Sequence, residues 1–418
     1  MKRDGVLVAR LDSMGDVLLA GPAVRAIAAS GASVTMLCSP RGASAARMLP
    51  GVDDVLVWDC PWISADAPDV DPAEARRLVQ AIAGHRFAQA VILTSFHQSP
   101  LPLALLLRLA GVPRIGGASV DHAGSLLDVR LRPGDEPGDD LPEDIPEAER
   151  ALRIAAACGF RLPESDPGLL AVRGAEQASG LARPYVVLHP GASAPARRWS
   201  VEGFAAVASA LVGVGMNVVV TGDADERELT HQVADAAGRG MSAASVTDLG
   251  GRLTLPELAG VLAGAESVVC GNTGPAHLAA AVGTPVVSLF SPVVPAAKWA
   301  PYGVPCVLLG DQDAACAGSR ARACPVAGHP CLNRIAPREV VDACLRLAPG
   351  WTADGPAREK DGPARGDAVR FSGAVPSGPT HRPGVPERDN RARHPVLRSE
   401  QGEGRARPTN QNREAVAG

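Results

Sequence analysis

Near its start the chain reads Val6-Leu7-Val8-Ala9-Arg10-Leu11-Asp12-Ser13-Met14-Gly15-Asp16-Val17, an apolar run that ends in polar residues and a glycine. Val6–Ala9 predicts a buried β-strand, and Pro22–Ser30 predicts the helix after it. Gly15 permits a tight turn between them. A strand, a polar turn and a helix form the first unit of a parallel α/β sheet.

Apolar, β-rich runs alternate with amphipathic helical stretches along much of the remaining sequence. Strands are also predicted at Ser33–Cys38, Val55–Trp58, Ala90–Thr94, Tyr185–Leu188, Asn217–Thr221, Ser267–Cys270, Pro285–Leu289 and Cys306–Leu309. Helices are predicted at Asp71–Ala83, Glu147–Cys158, Val201–Val214, Glu226–Ala237, Leu255–Ala263 and Pro275–Val282. The alternation predicts α/β architecture, with parallel sheets covered by helices on both faces.

The strand series is interrupted once, which predicts two domains. Residues 133–146 are rich in Asp, Glu, Pro and Gly and predict an exposed acidic loop. We expect one Rossmann-like domain over residues 1–170 and a second over 171–350. Residues 351–418 contain few periodic apolar residues, so they predict a disordered tail rich in Pro, Gly and Arg.

Composition narrows the function classes. Of the 418 residues 46% are hydrophobic, and the net charge of −4 provides no overall field to hold nucleic acid or an anionic membrane. Arg10, Asp12 and Asp16 interrupt the apolar run after Met1-Lys2-Arg3, which argues against a signal peptide and predicts a cytoplasmic protein. Nine cysteines, an odd number, favour free thiols over a disulfide framework.

Asp16 lies at the carboxyl edge of the first predicted strand, where open α/β sheets bind ligands. Its spacing predicts a place at or just before a helix N-terminus. Aspartates there commonly cap the helix, and spacing alone favours that role. The alternative is a general base that projects into a cleft.

Three ligand-edge loops follow strands of the second half. His189–Ser193 leads to Arg197 and Arg198, whose guanidinium groups suit a phosphate-bearing ligand. Thr221–Glu226 carries carboxylates that could bind ribose hydroxyls or, equally, begin a helix. Together with the next loop they predict a diphosphate site.

The third loop is Gly271–Leu278, which runs from a strand into a helix. Thr273 or Gly274 at the N-cap and Pro275 in the first turn would aim free backbone N–H groups at an anion. His277 is equally consistent with a ligand contact and with a core histidine. The sequence has neither a Walker-type Gly-Lys-Ser/Thr run nor Gly-x-Gly-x-x-Gly after the first strand, which argues against a P-loop NTPase or an ordinary dehydrogenase.

These residues resemble glycosyltransferase family 9, whose best-known members are the ADP-heptose:lipopolysaccharide heptosyltransferases. The resemblance covers about Val6 to Leu347. Its markers are Ser13-Met14-Gly15-Asp16, His189-Pro190-Gly191-Ala192 with Arg198-Trp199, Gly222 with Asp225-Glu226, Asn272-Thr273-Gly274-Pro275-Ala276-His277-Leu278, and Gly283-Thr284-Pro285-Val286-Val287-Ser288-Leu289-Phe290.

The resemblance implies a GT-B fold, in which two Rossmann-like domains face each other across a cleft, and inverting transfer without a metal ion or other cofactor. It implies that Asp16 is the general base, with Arg10, Ser13 and Gly15 beside it. The residues that it implies for the donor are Arg197, Arg198, Glu226, Asn272, Thr273, Gly274 and His277, with Arg197 at the departing diphosphate and Glu226 at the ribose.

Two departures from the family pattern affect these expectations. Family members usually have Asp, which contacts sugar hydroxyls, where this chain has Asn272, and the change bears on which sugar is bound. Family members also often carry a Cys-x-x-Cys before a Cys-Pro and a His-x-Cys, whereas this chain has Cys316, Cys324, His329 and Cys331. Three cysteines and a histidine can bind zinc, but ordinary loop thiols are favoured.

The resulting hypothesis is transfer of a heptose from ADP-heptose to a hydroxyl of a glycan or glycolipid, as in lipopolysaccharide core biosynthesis. The partners are then the nucleotide sugar and the acceptor, with peripheral membrane contact only through a lipid-linked acceptor. A nucleotide-sugar epimerase and a nucleotide-sugar-binding protein without turnover are the alternatives. Asp16, Arg197, Glu226 and His277 together argue against the second.

Overall fold

Two six-stranded parallel sheets form the frame of the computed structural model, which describes residues 5–63, 69–134, 136–238, 245–348, 351–352 and 355–356. The first sheet contains β1 (Gly5–Arg10), β2 (Ser33–Cys38), β3 (Asp54–Val57), β4 (Gln89–Ile92), β5 (Ile115–Ala118) and β6 (Val129–Leu131). The second contains β7 (Tyr185–His189), β8 (Asn217–Val220), β9 (Val246–Asp248), β10 (Ser267–Gly271), β11 (Val286–Leu289) and β12 (Cys306–Leu309).

The two sheets have the same topology. Their strand orders are β3-β2-β1-β4-β5-β6 and, read from the other edge, β9-β8-β7-β10-β11-β12. Both are the order of a doubly wound dinucleotide-binding fold, in which the strand order reverses at the centre of the sheet. The predicted α/β architecture with two Rossmann-like sheets is therefore confirmed, while the boundary at residues 170 and 171 stays a prediction.

Helices cover the sheets. Those of the first half are α1 (Met14–Leu19), α2 (Gly21–Ala28), α3 (Ala43–Met48), α4 (Pro72–His85), α5 (Leu101–Leu109) and α6 (Glu147–Ala157). Those of the second half are α7 (Val201–Gly213), α8 (Arg227–Gly238), α9 (Leu255–Ala263), α10 (Gly274–Ala281), α11 (Ala296–Trp299), α12 (Pro330–Asn333) and α13 (Pro337–Leu347). The central strands are buried on both faces, as the near-continuous aliphatic runs predict.

The sequence did not reveal β5, whose residues are Ile115-Gly116-Gly117-Ala118. Glycine is depleted in strands, so this segment carries no β signal. The reason for a glycine is packing: a Cβ on Gly116 would lie 2.1 Å from Sγ of Cys158, at the end of α6. The glycine lets the helix approach the sheet closely.

The acidic segment 133–146 is not fully exposed, so that expectation was wrong in part. Leu141 is completely buried in the core, and Pro133 pairs with it in an isolated β-bridge. Glu143 is bonded to Lys298 of the second half. The buried leucine and the ion pair hold this loop against the rest of the protein, although its composition alone predicts a solvated loop.

All the described residues lie within one unit, Met1–Glu359. Trp351–Thr352 and Gly355–Pro356 pair as a short antiparallel ribbon. The rest of the predicted tail at 351–418 lies outside the described residues. Among the described helices, none is both long and apolar enough to span a membrane, and cytoplasmic location stays a prediction.

Candidate active site between the two sheets

A cleft of about 840 Å³ opens to solvent between the two sheets. Residues from both halves line it: Asp12, Ser13, Gly15, Asp16, Ser95, His97, Arg197, Asn272, Thr273, Gly274, His277, Val294, Trp299 and Arg320. Asp12 and Ser95 follow the adjacent strands β1 and β4, and Asn272 follows β10. These are the carboxyl ends at the point where each strand order reverses, the usual ligand site of such sheets.

Asp16 is the third residue of α1 and so lies in the first turn of the helix, which begins at Met14. Ser13 is the N-cap. The Asp16 carboxylate accepts hydrogen bonds from the Ser13 hydroxyl (2.8 Å) and the Ser13 backbone N–H (3.3 Å). Asp16 thus bonds to the cap residue, as in a capping box, and also lines the cleft.

Every acceptor position of Asp16 is occupied. Oδ2 receives the two bonds from Ser13, while Oδ1 receives Arg10 Nη2 at 3.0 Å and Trp299 Nε1 at 3.2 Å. A carboxylate has about four lone-pair sites, so a further donor must displace one of these bonds. Among these donors, the Ser13 hydroxyl belongs to an exposed residue and is free to rotate.

Arg10 is buried beneath Asp16 with 3% of its surface exposed. Its guanidinium lies 2.9 Å from Oδ2 of Asp12, donates to Ser95 Oγ at 2.8 Å, and contacts Oε2 of Glu147 at 3.3 Å. Burial lowers the pKa of Arg10, but the surrounding carboxylates outweigh it and raise the pKa above its usual value. One permanent cation therefore serves three carboxylates, including Asp16.

Asp16 and Asp12 respond to this cluster in opposite ways. Burial raises the pKa of Asp16, but the Arg10 charge and the hydrogen bonds from Ser13 and Trp299 outweigh burial, so the pKa is below its ordinary value. Burial raises the pKa of Asp12 to about 6 despite Arg10, and the Asp16 charge adds to the rise. Asp16 therefore stays ionised to lower pH than Asp12.

The second half contributes a cation and a helix N-terminus to the cleft. Thr273 is the N-cap of α10, and Gly274 and Pro275 begin the helix, as predicted. Arg197 lines the same cleft and donates from Nη1 to the backbone oxygen of Asn272 at 3.3 Å. Burial lowers the pKa of Arg197, while the nearby Asp16 charge opposes the change. The arrangement favours an anion.

The N-terminal turns of α1 and α10 pack directly against each other across the cleft. A Cβ on Gly15 would lie 2.8 Å from Cδ2 of His277 and 3.3 Å from Cα of Gly274. His277 is 4% exposed, and burial lowers its pKa to about 4, so it is neutral at pH 7. It is a buried histidine that also lines the cleft, and its contact with a ligand stays a prediction.

Asn272 bonds through both Nδ2 and Oδ1 to the backbone of Ser291. Its Nδ2 donates to the Ser291 carbonyl at 3.1 Å, and its Oδ1 accepts from the Ser291 N–H at 3.2 Å. This pair joins the ends of β10 and β11. An aspartate could accept the second bond but could not donate the first. The amide is therefore matched to a structural contact, although Asn272 borders the cleft.

Arg198 and Glu226 do not line this cleft. Arg198 is exposed and donates from Nε to the Ala192 carbonyl at 2.8 Å. The Glu226 carboxylate accepts the Asp223 N–H at 3.2 Å in a helix-start capping box and lies 3.6 Å from Nε2 of His189. Burial raises the pKa of Glu226. The helix-start role is thus present, and the ribose role stays a prediction.

The cysteines remain thiols. All nine lie within the described residues, and none of them is paired in a disulfide. His329 Nε2 donates to the Ala196 carbonyl, 3.0 Å away, and the Cys324 thiol donates to the Val326 carbonyl. Over the described ranges, no three His, Cys, Asp or Glu side chains are grouped as metal ligands.

Sequence reasoning missed six side chains of this site. Ser95 and His97 follow the predicted strand Ala90–Thr94, so the ligand-edge rule would have found them. Asp12 was quoted but given no role, and Glu147 was assigned only as a helix start. Trp299 and Arg320 had no signal, since they belong to a four-residue helix and to a loop.

Comparison with known proteins agrees with this architecture. Residues 77–328, more than half of the chain, match the family model described as glycosyltransferase family 9 (heptosyltransferase). The chain belongs to glycosyltransferase family 9. It is 30% identical over 341 residues to lipopolysaccharide heptosyltransferase 1 of Pseudomonas aeruginosa, an alignment that covers 76% of this chain and 87% of that protein.

Two further family 9 proteins are similar. Lipopolysaccharide heptosyltransferase 3 of Escherichia coli is 36% identical over 112 residues, which are 27% of this chain but only 32% of that relative. The solved structure of E. coli ADP-heptose lipopolysaccharide heptosyltransferase II aligns with this chain at a TM-score of 0.62 and 19% sequence identity. The alignment covers 82% of this chain and 98% of that protein's chain. The family 9 chain is thus a glycosyltransferase with the GT-B fold.

Proposed function

We propose that the chain transfers a heptose from ADP-heptose to a hydroxyl of a glycan or glycolipid, with inversion and without a metal ion. The observation that carries the proposal is the pairing across one cleft of Asp16 from the first half with Arg197 and the α10 N-terminus from the second. Inversion requires attack opposite the leaving group, so the base and the cation for the diphosphate must lie on opposite sides of the sugar.

Asp16 is the proposed general base. It stays ionised because Arg10, Ser13 and Trp299 outweigh the effect of burial on its pKa. The acceptor hydroxyl replaces the Ser13 hydroxyl at Oδ2, donates its proton there, and attacks the anomeric carbon as the bond to the diphosphate breaks. Arg10 holds the carboxylate in place from below and does not contact the substrate in this scheme.

Arg197, Arg320 and the N-terminus of α10 are the proposed partners of the diphosphate, since all three line the cleft. They would offset the charge that develops on the leaving group, which is the electrostatic part of catalysis. His277 is neutral at pH 7 and supplies hydrogen bonding, not charge. Glu226 is the proposed contact of the ribose, beyond the lining of this cleft.

The donor and acceptor are assigned by similarity. The solved neighbour is named for ADP-heptose, and the relatives are named for lipopolysaccharide. We therefore propose ADP-heptose as donor and a lipopolysaccharide-core-like sugar hydroxyl as acceptor. If that acceptor is lipid-linked, contact with a membrane would come through it.

Thermal unfolding with nucleotide sugars tests the donor assignment. The full-length protein and Arg197→Ala are compared with ADP-, GDP-, UDP- and dTDP-sugars, because a ligand at 100 times its Kd stabilises by about 2.7 kcal/mol. We expect stabilisation by ADP-heptose that the variant loses. Stabilisation by another nucleotide alone would overturn the ADP assignment, and stabilisation by none would overturn the proposed donor site.

A further inference from the structure

Helix α11 belongs to the second half but bonds to the first half at the proposed base. Trp299, its last residue, donates from Nε1 to Oδ1 of Asp16 at 3.2 Å. The Trp299 ring also lies 5.8 Å from the ring of Phe96, which follows β4, between centroids. The remaining donors to Asp16 come from its own half.

Lys298 fixes this helix in place. Its ammonium donates to the backbone oxygen of Glu143, lies 3.3 Å from the Glu143 carboxylate, and is 4.8 Å from the centre of the Phe96 ring. Lys298 is 4% exposed, so these contacts are not a solvent-exposed surface pair. Lys298 and Trp299, which are consecutive residues of the second half, thus both bond to the first half beside the base.

We propose that Trp299 is a positioning residue for Asp16, and that Lys298 and Glu143 secure the helix that carries it. The inference rests on the proposed role of Asp16 as base. With Trp299 and Arg10 on Oδ1, the carboxylate is fixed in rotation about its own axis, and Oδ2 faces the acceptor. Because the Trp299 indole comes from the second half, the Asp16 carboxylate is fully oriented only while the two halves are in contact at α11.

The contact itself can be observed without turnover. In a ¹⁵N-labelled full-length protein, the indole N–H resonance missing from Trp299→Phe belongs to Trp299. We expect it to be protected from exchange, and to shift in Asp16→Asn and in Lys298→Met. Trp62→Phe, which removes an indole that packs on Trp58, is the control. A Trp299 resonance that exchanges freely and ignores Asp16→Asn overturns the proposal.

The functional test measures ADP release from ADP-heptose, with deacylated lipopolysaccharide inner core as acceptor and with water alone. Trp299→Phe keeps an aromatic ring but loses the indole N–H. Because this removes a hydrogen bond to a charged group, we expect kcat to fall about 10- to 100-fold. The donor KM should change less than about 3-fold. Trp299→His restores an N–H at the same ring position, so above pH 8 it should recover most of the loss.

Lys298→Met keeps an unbranched apolar side chain and loses the ammonium that lies over the Phe96 ring. If Lys298 acts through Trp299, a variant that combines Lys298→Met with Trp299→Phe has the same kcat as Trp299→Phe alone. An unchanged kcat in Trp299→Phe, or a loss that Trp299→His does not recover, overturns the positioning role. Full activity of Asp16→Asn instead overturns the proposed base. Absence of turnover by the wild type overturns the proposed substrates, and the resonance experiment then still decides on Trp299.

Discussion

The two halves share one strand order and differ in the charge at their ligand edges. In the first half, the edge holds Asp12, Asp16 and Glu147 around one buried guanidinium. In the second half, the same edge holds Arg197, a helix N-terminus and a neutral histidine. The topology therefore supplies two equivalent edges, and the side chains decide what each one binds.

The difference assigns the substrates to opposite sides. A cluster with more carboxylates than cations repels a diphosphate, while it can orient and deprotonate a hydroxyl. A cation beside a helix N-terminus attracts the diphosphate and offers no carboxylate as a base. Substitutions that exchange or remove these charges should therefore damage one function and leave the other.

Asp16→Asn should have the largest effect. The amide cannot accept the hydroxyl proton, so we expect kcat to fall by about 10³, within the range of general-base catalysis. Affinity for ADP should not fall, because the change removes a negative charge from the cleft. Kinetics of ADP release and calorimetry with ADP measure the two effects. Comparable kcat in variant and wild type would exclude Asp16 as the base.

Arg197→Gln and Arg198→Gln separate two neighbours that the sequence analysis assigned to the donor. Arg197 lines the cleft, whereas Arg198 is exposed and bonded to Ala192. We expect the Kd of ADP to rise about 10- to 100-fold for Arg197→Gln, as for loss of a charge-assisted hydrogen bond, and much less for Arg198→Gln. Equal losses in titration calorimetry would contradict the assignment of the diphosphate to Arg197.

Asn272→Asp tests whether the amide is structural. It removes the donor to the Ser291 carbonyl and places a carboxylate there, so we expect a loss of about 1–3 kcal/mol in the free energy of unfolding. Asn333→Asp is the matched control, because its amide donates to Gly328 from an exposed position where water can replace it. Chemical denaturation measures both. A variant as stable as the control would leave the Asn272 amide available to a sugar.

The sequence predicts most of the frame but only half of the site. Strands such as Ser33–Cys38 and Cys306–Leu309 were predicted at their observed bounds, because short runs of mostly aliphatic residues leave a clear signal. The segment Ile115–Ala118 was missed because close packing on Cys158 requires glycine there. Local pattern predicts burial well, and it does not predict a close approach between elements.

The same contrast between local pattern and tertiary packing holds for the residues of the site. Residues that follow strands at the ligand edge, such as Asp16 and Thr273, were found because the fold fixes where strands end. Glu147 contacts Arg10, which lies more than a hundred residues away in the chain. Trp299 lies on a four-residue helix and bonds to Asp16. Both contacts arise only through tertiary packing. No spacing rule connects such positions. Charge relations across the cleft therefore had to come from the structure.

Asp12→Asn tests the first edge through pH. The pKa of Asp12 is about 6 in the folded protein and 3.8 ordinarily, so the folded state binds the extra proton and wild-type stability falls as pH rises between these values. Asparagine has no such proton. Relative to wild type, the variant should gain about 2 kcal/mol between pH 4 and 6.5, then stay level. Thermal unfolding over this range measures it, and a constant difference would contradict the raised pKa.

Ser13→Ala should have the smallest effect, and it decides which donor the acceptor hydroxyl replaces. Arg10, Trp299 and the residue 13 backbone N–H still bond to Asp16 in this variant, so only the exposed, rotating hydroxyl is lost. If the acceptor takes that position, kcat should stay within about 3-fold of wild type, since nothing used in the transition state is removed. A relay of the proton through the hydroxyl instead predicts a loss of about 10²-fold, the scale of general acid–base catalysis. Steady-state ADP release separates these outcomes, and a large loss would move the site of proton transfer from Asp16 Oδ2 to Ser13 Oγ.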